Sequence, residues 1–133
     1  MVYAGNVVIL LFKMLMNMKN AIIVGATSGI GLEVARIMRS EGVNIGVAGR
    51  REDRLRKFAE EGGNVVWQRI DVTDENAGGL LVDLAERMGG VDTILLVSGI
   101  GSQNRDLDPG IEIATAETNV VGFTRMIDAA FNY

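Results

Sequence analysis

The chain has no cysteine and no histidine among its 133 residues. Without cysteine there is no disulfide framework, no thiolate metal site and no thiol nucleophile. Without histidine the commonest general base and the commonest zinc ligand are both missing. Chemistry is left to hydroxyls, carboxylates, amides, three lysines or a bound cofactor. Positive charge is also short. A net charge of -4 and a pI near 4.8 provide no general attraction to nucleic acid or to an anionic membrane. No apolar run reaches the roughly twenty residues that a membrane span needs. The apolar stretch at residues 7–12 is broken by Lys13, and no positive charge precedes it as a secretory signal requires. Cytoplasmic residence is the resulting expectation.

What is present reads as one ordered globular domain, with 48% hydrophobic and 23% charged residues. Residues 1–17 differ from the rest and are expected to be an appended extension, with an extra strand over residues 6–12 as the alternative. The domain proper is expected over residues 18–133. From Lys19 onward, apolar strand-like runs alternate with amphipathic helical ones, the pattern of βαβ units and a parallel sheet. Strands are expected at residues 21–24, 43–48, 65–70 and 91–97. Helices are expected at 30–40, with Ile30, Val34, Ile37 and Met38 as its apolar positions, and at 51–61, anchored by Leu55, Phe58 and Ala59. A third helix is expected after an Asp74 cap, weakened by Gly78-Gly79. A last one starts near Pro109 with Val120, Phe123, Ile127 and Phe131 on one stripe. Gly46 inside the second strand marks close packing of a helix on the sheet. These elements define a Rossmann-like, three-layer α/β/α fold with strand order 3-2-1-4, expected to be incomplete because later strands are missing.

Between the first strand and the first helix stands Gly25-Ala26-Thr27-Ser28-Gly29-Ile30-Gly31. Glycine tolerates the sharp turn needed there and lets a phosphate approach the backbone, while the helix start offers unpaired N–H groups and a partial positive charge. Thr27 and Ser28 add hydroxyls. A glycine-rich link serving packing alone is the alternative, but a strand before it and a helix after it favour phosphate binding. One βα unit later the second strand ends in Arg50-Arg51, where folds of this kind place an acidic side chain on the ribose hydroxyls. Two guanidinium groups suit a 2′-phosphate instead, so NADP is favoured over NAD. Parallel strands present their carboxyl ends on one edge, which adds Asp71-Val72, able to frame an adenine, and Ser98-Gly99-Ile100-Gly101, small enough for a cofactor to lie against the backbone.

Together these residues resemble the short-chain dehydrogenase/reductase family, over residues 19–133. Its glycine signature matches Gly25 to Gly31, its basic NADP selector matches Arg50 or Arg51, and its adenine pair matches Asp71-Val72. Its Asn-Asn-Ala-Gly stretch falls on Ser98-Gly99-Ile100-Gly101, where both amides are replaced. Asn119, in Thr118-Asn119-Val120-Val121-Gly122, matches the helix asparagine of the family's catalytic tetrad. The resemblance implies hydride transfer between NADP(H) and a small carbonyl or alcohol substrate. It also implies a catalytic serine and a tyrosine followed four positions later by lysine, and neither Tyr3 nor Tyr133 has that lysine. The chain is therefore expected to be the cofactor-binding front of such an enzyme, inactive alone. A non-catalytic nucleotide-binding or self-associating module is the second reading, with a homo-oligomer expected on either. A nucleotide-sugar epimerase fragment ranks last, because the glycine spacing fits it less well.

Overall fold

The computed structural model describes residues 17–133; the expected strand at 6–12, and the extension up to residue 16, lie outside it. Four parallel strands, β1 (Asn20–Val24), β2 (Asn44–Gly49), β3 (Val65–Arg69) and β4 (Thr93–Leu96), pair in the order β3-β2-β1-β4. That order matches the sequence expectation. The central strand is apolar throughout because it is covered on both sides, and Ala21, Ile22 and Ile23 have no exposed surface. Side-chain alternation divides the core in two. Ala21, Ile23, Ile45 and Val47 meet helices α1 (Gly29–Ser40) and α2 (Glu52–Glu60) through Ala35, Met38, Leu55 and Phe58. Ile22, Val24 and Ala48 meet α3 (Ala77–Arg87) and the last helix through Leu81, Leu84, Ala85 and Met126.

Register is held at the strand starts by side-chain amides. Asn64 Nδ2 donates to Asn44 Oδ1 at 2.7 Å, and Asn44 Nδ2 to Asn20 Oδ1 at 2.9 Å. The Asp92 carboxylate then accepts the backbone N–H groups of Lys19 and Asn20, tying the start of β1 to that of β4. The Asn20 N–H foremost, and the Lys19 N–H with it, hold the Asp92 carboxyl below its usual pKa. On the far side Gly46 faces α3 directly: a Cβ there would lie 2.6 Å from Met88 Sδ and 3.3 Å from Leu84 Cδ2. The close packing expected at this glycine is present.

The last helix runs from α4 (Pro109–Ala116) through a π-helical turn (Glu117–Gly122) into α5 (Phe123–Asn132). Three local expectations are corrected. First, α1 turns Gly31, Ala35 and Met38 to the sheet rather than Ile30 and Ile37, which are exposed, because the small residues let the helix axis sit close. Second, α3 begins three residues after Asp74. Asn76 occupies the cap position without a side-chain bond, and Asp74 instead forms a turn whose carbonyl accepts from Ala77. Gly78 is accommodated because a Cβ there would stand 3.1 Å from that of Ala129, where α3 and α5 cross. Third, the stripe of Val120, Phe123, Ile127 and Phe131 forms but is exposed; Gly122 and Met126 make the buried face.

The two outer rims of the sheet differ. Ile45 donates to Asn64 O and Ile70 to Gly49 O, so even-numbered positions around β3 bond inward and odd ones turn their polar groups outward. The outward carbonyl of Trp67 accepts from Arg87 at 3.2 Å, the same guanidinium holds Gln68, and Arg56 lies 5.8 Å from the Trp67 ring centroid. Cationic side chains thus cover the β3 rim. At β4, Ile127, Ala130 and Phe131 flank Val91 and Ile94 around an open hollow.

Candidate functional site

The carboxyl ends of all four strands open into one crevice of about 270 Å³. Its floor is the turn after β1. Gly25 has φ 96°, and a Cβ there would lie 2.6 Å from the Ser98 nitrogen; one on Gly31 would fall on the Gly25 carbonyl. Only a chain without side chains at these two positions can pass between β4 and α1 this closely. The start of α1 is left open to an anion. Ser28 takes the cap position with extended backbone but makes no capping bond, and the first turn carries no acidic residue. The next helix, by contrast, has Glu52 and Asp53 in its first turn.

Arg51 reaches back from the end of β2 to this turn, donating from Nη2 to Ser28 Oγ at 2.8 Å and from Nε to Thr27 Oγ1 at 3.3 Å. Arg54 adds a bond to the Thr27 carbonyl at 3.3 Å. Arg50 is exposed at the rim, and its charge acts on Asp71 from across the strand ends. At Asp71, burial works against ionisation, yet the Thr73 hydroxyl and N–H, with the Arg50 and Arg69 charges, outweigh it and hold the carboxyl below its usual pKa. Asp71 Oδ1 accepts both Thr73 bonds, at 2.8 and 3.0 Å. The structure therefore assembles a positively charged, hydroxyl-lined turn beside one ionised carboxylate.

Gly25, Thr27, Ser28, Gly29, Ile30, Gly31, Arg50, Arg51, Asp71, Val72, Ser98 and Gly99 all border this crevice. Val72 does so with its side chain turned into the core, only 5% exposed. Asn119 stands apart: its Oδ1 accepts from Ile100 N at 2.9 Å and its Nδ2 donates to Ile100 O at 2.7 Å. It borders the loop after β4 rather than the crevice, and the π-helical turn that carries it widens the helix locally, a feature frequent at functional sites. Sequence reasoning passed over Arg54, Thr73 and Arg125, whose Nη1 donates to the Val72 carbonyl at 2.7 Å. None stands in a motif; adjacency to the strand ends in space is what reveals them.

Residues 19–133 match the family described as short chain dehydrogenase, and the chain belongs to that family. An uncharacterized oxidoreductase of Mycobacterium tuberculosis is 31% identical over 121 residues, covering 84% of this chain and 47% of that protein. One from Listeria monocytogenes is 37% identical over 92 residues, covering 64% of this chain and 37% of that protein. The chain spans less than half the length of these curated relatives. Among solved structures, an alcohol dehydrogenase from the archaeon Thermococcus sibiricus complexed with 5-hydroxy-NADP superposes with a TM-score of 0.79 at 29% identity, over 86% of this chain and 52% of that one. Actinorhodin polyketide ketoreductase with NADPH gives a TM-score of 0.75 at 30% identity, over 86% and 46%. Among the described residues no helix is long and apolar enough to cross a membrane.

Proposed function

We propose that the crevice binds NADP(H) in preference to NAD(H), as the cofactor-binding part of a cytoplasmic oxidoreductase acting on a small carbonyl or alcohol. The observation that carries the preference is the end of β2, where Arg50 and Arg51 stand in place of a carboxylate and Arg51 already bonds Ser28 of the glycine turn. Two guanidinium groups and a hydroxyl suit a 2′-phosphate, whereas a carboxylate there would repel it. The uncapped start of α1 and the close approach at Gly25 and Gly31 suit the pyrophosphate. The adenine falls to Asp71 and the backbone at Val72, and the nicotinamide end to Ser98, Gly99 and the loop that Asn119 holds. The presence of NADPH and 5-hydroxy-NADP in two similar structures supports the same choice of cofactor.

When bound, the dinucleotide supplies or accepts the hydride; this chain's residues bind and orient it. Asn119 acts here by fixing the Ile100 backbone. Neither tyrosine of residues 1–133 is followed four positions later by lysine, the pair that the family resemblance implies for proton transfer, and this chain is proposed to bind cofactor without turnover. Calorimetric titration tests the reading. NADPH should bind at least tenfold tighter than NADH, a gap of about 1.4 kcal/mol, and Arg50→Ala should narrow it. Equal affinities in the unaltered chain overturn the assignment.

A second reading, a self-associating nucleotide-binding module, is favoured by one observation. Among the described residues β4 pairs on one side only and is bordered by the exposed stripe of α5.

A further inference from the structure

One continuous helix, from α4 to α5, holds two of the loops that border the crevice. Asn119 clamps Ile100 after β4. One turn on, Gly122 lies against the loop after β3, so closely that a Cβ would come within 2.8 Å of Val72 Cγ2 and 2.9 Å of the Val72 carbonyl oxygen. Three residues further, Arg125 closes the contact with its 2.7 Å bond to that same carbonyl, across 53 positions of sequence. The loop is otherwise anchored by the buried Ile70 and Val72 side chains and by a local bond from the Asp74 N–H to the Asp71 carbonyl at 3.0 Å. After the Ile70 N–H bonds Gly49, the chain leaves the sheet, and Asp71 and Thr73 bond each other.

Arg125 is an unexpected residue for this place. It is partly buried beside an apolar cluster, and among the described residues it forms no ion pair. Its guanidinium instead makes a charge-assisted bond to a single carbonyl. An arginine stem can cover apolar surface whatever its head bonds, so the carbonyl contact is what separates Arg125 from a space-filling residue. The bond holds the carbonyl of the residue directly after Asp71, whose carboxylate is itself oriented by its two bonds from Thr73. Among the described residues Asp71 Oδ2 accepts no hydrogen bond, which leaves it available to a donor in the crevice.

We propose that Arg125 is a positioning residue for the adenine end of the cofactor, setting the place of Asp71 and Val72 by holding the Val72 carbonyl. This rests on the reading of the crevice as a dinucleotide site. The amine of adenine is the group that an ionised Asp71 would accept from. NADPH and its deamino analogue, in which hypoxanthine replaces adenine and that amine is lost, therefore isolate the contact. In the full 133-residue chain, NADPH should bind the more tightly of the two. Arg125→Met should reduce that preference by roughly tenfold or abolish it, the scale of one hydrogen bond to a charged group. Arg125→Lys, which keeps a donor, should fall between. A purely structural Arg125 would lower the affinity for both ligands equally, or neither, and that result overturns the proposal. So does an unaltered chain that binds both ligands equally. An unaltered chain that binds neither removes the dinucleotide reading itself. Thermal melting without ligand reports whether each variant is folded, and if Arg125→Met is not, Arg125→Lys carries the same comparison.

Discussion

Gly31 has the least room of the residues in the glycine turn, since a methyl group there would fall on the Gly25 carbonyl. Gly31→Ala should destabilise the chain by about 1–3 kcal/mol, the usual range for overpacking, and abolish NADPH binding; urea unfolding and calorimetry read the two effects. Asp71 offers a test of a different kind. Its folded pKa lies below the ordinary 3.8, so its contribution to stability is fully present above that value and is lost as the pH falls through the lower, folded one. Asp71→Asn should accordingly lower the urea midpoint near neutrality and flatten its fall in acid, where the two proteins converge. An unchanged acid limb would show that Thr73 and the arginines do not favour the ionised form. Residues in the glycine turn and at the strand ends could be read from the sequence because their spacing is fixed by local geometry. Arg125 could not, because its partner is 53 positions away and no local pattern requires it.

Elements were legible where periodicity and turn residues agreed. The four strands appear within two residues of their expected limits, and β2 and β3 differ by one. The face of α1 was misread because its apolar residues support two registers, and small residues decided which would approach the sheet. The third helix was misread at its start because a possible cap, Asp74, is used in a turn instead. At Gly46 the expectation and the structure agree, and the contact can be measured. Gly46→Ala should cost about 1–3 kcal/mol by forcing Met88 and Leu84 away from β2, and Leu84→Ala about 2–5 kcal/mol by opening a cavity. Because the two side chains share one space, the double variant should be less destabilised than the sum of the two. Strict additivity in urea unfolding would place the helix further from the strand than the 3.3 Å approach at Leu84 implies.

For the whole molecule, fold class and strand order followed from the alternation of elements, but the exposed stripe on α5 did not. An amphipathic pattern states that a face is apolar, not which surface covers it. Phe131 is 90% exposed and Ile127 43%, next to a strand that, among the described residues, pairs on one side only. The chain should therefore associate through that side, and light scattering should give a mass that rises with concentration. Replacing Ile127 and Phe131 with Ser should return the mass to that of one chain. A single-chain mass throughout the concentration range would rule out this association. Arg87 and Arg56 give such association a natural limit, because the opposite margin is occupied by their guanidinium groups. Two copies joined along β4 would present only guarded margins to the solution. Addition of a third would have nowhere to begin, so the mass should level off at a pair instead of climbing into fibres.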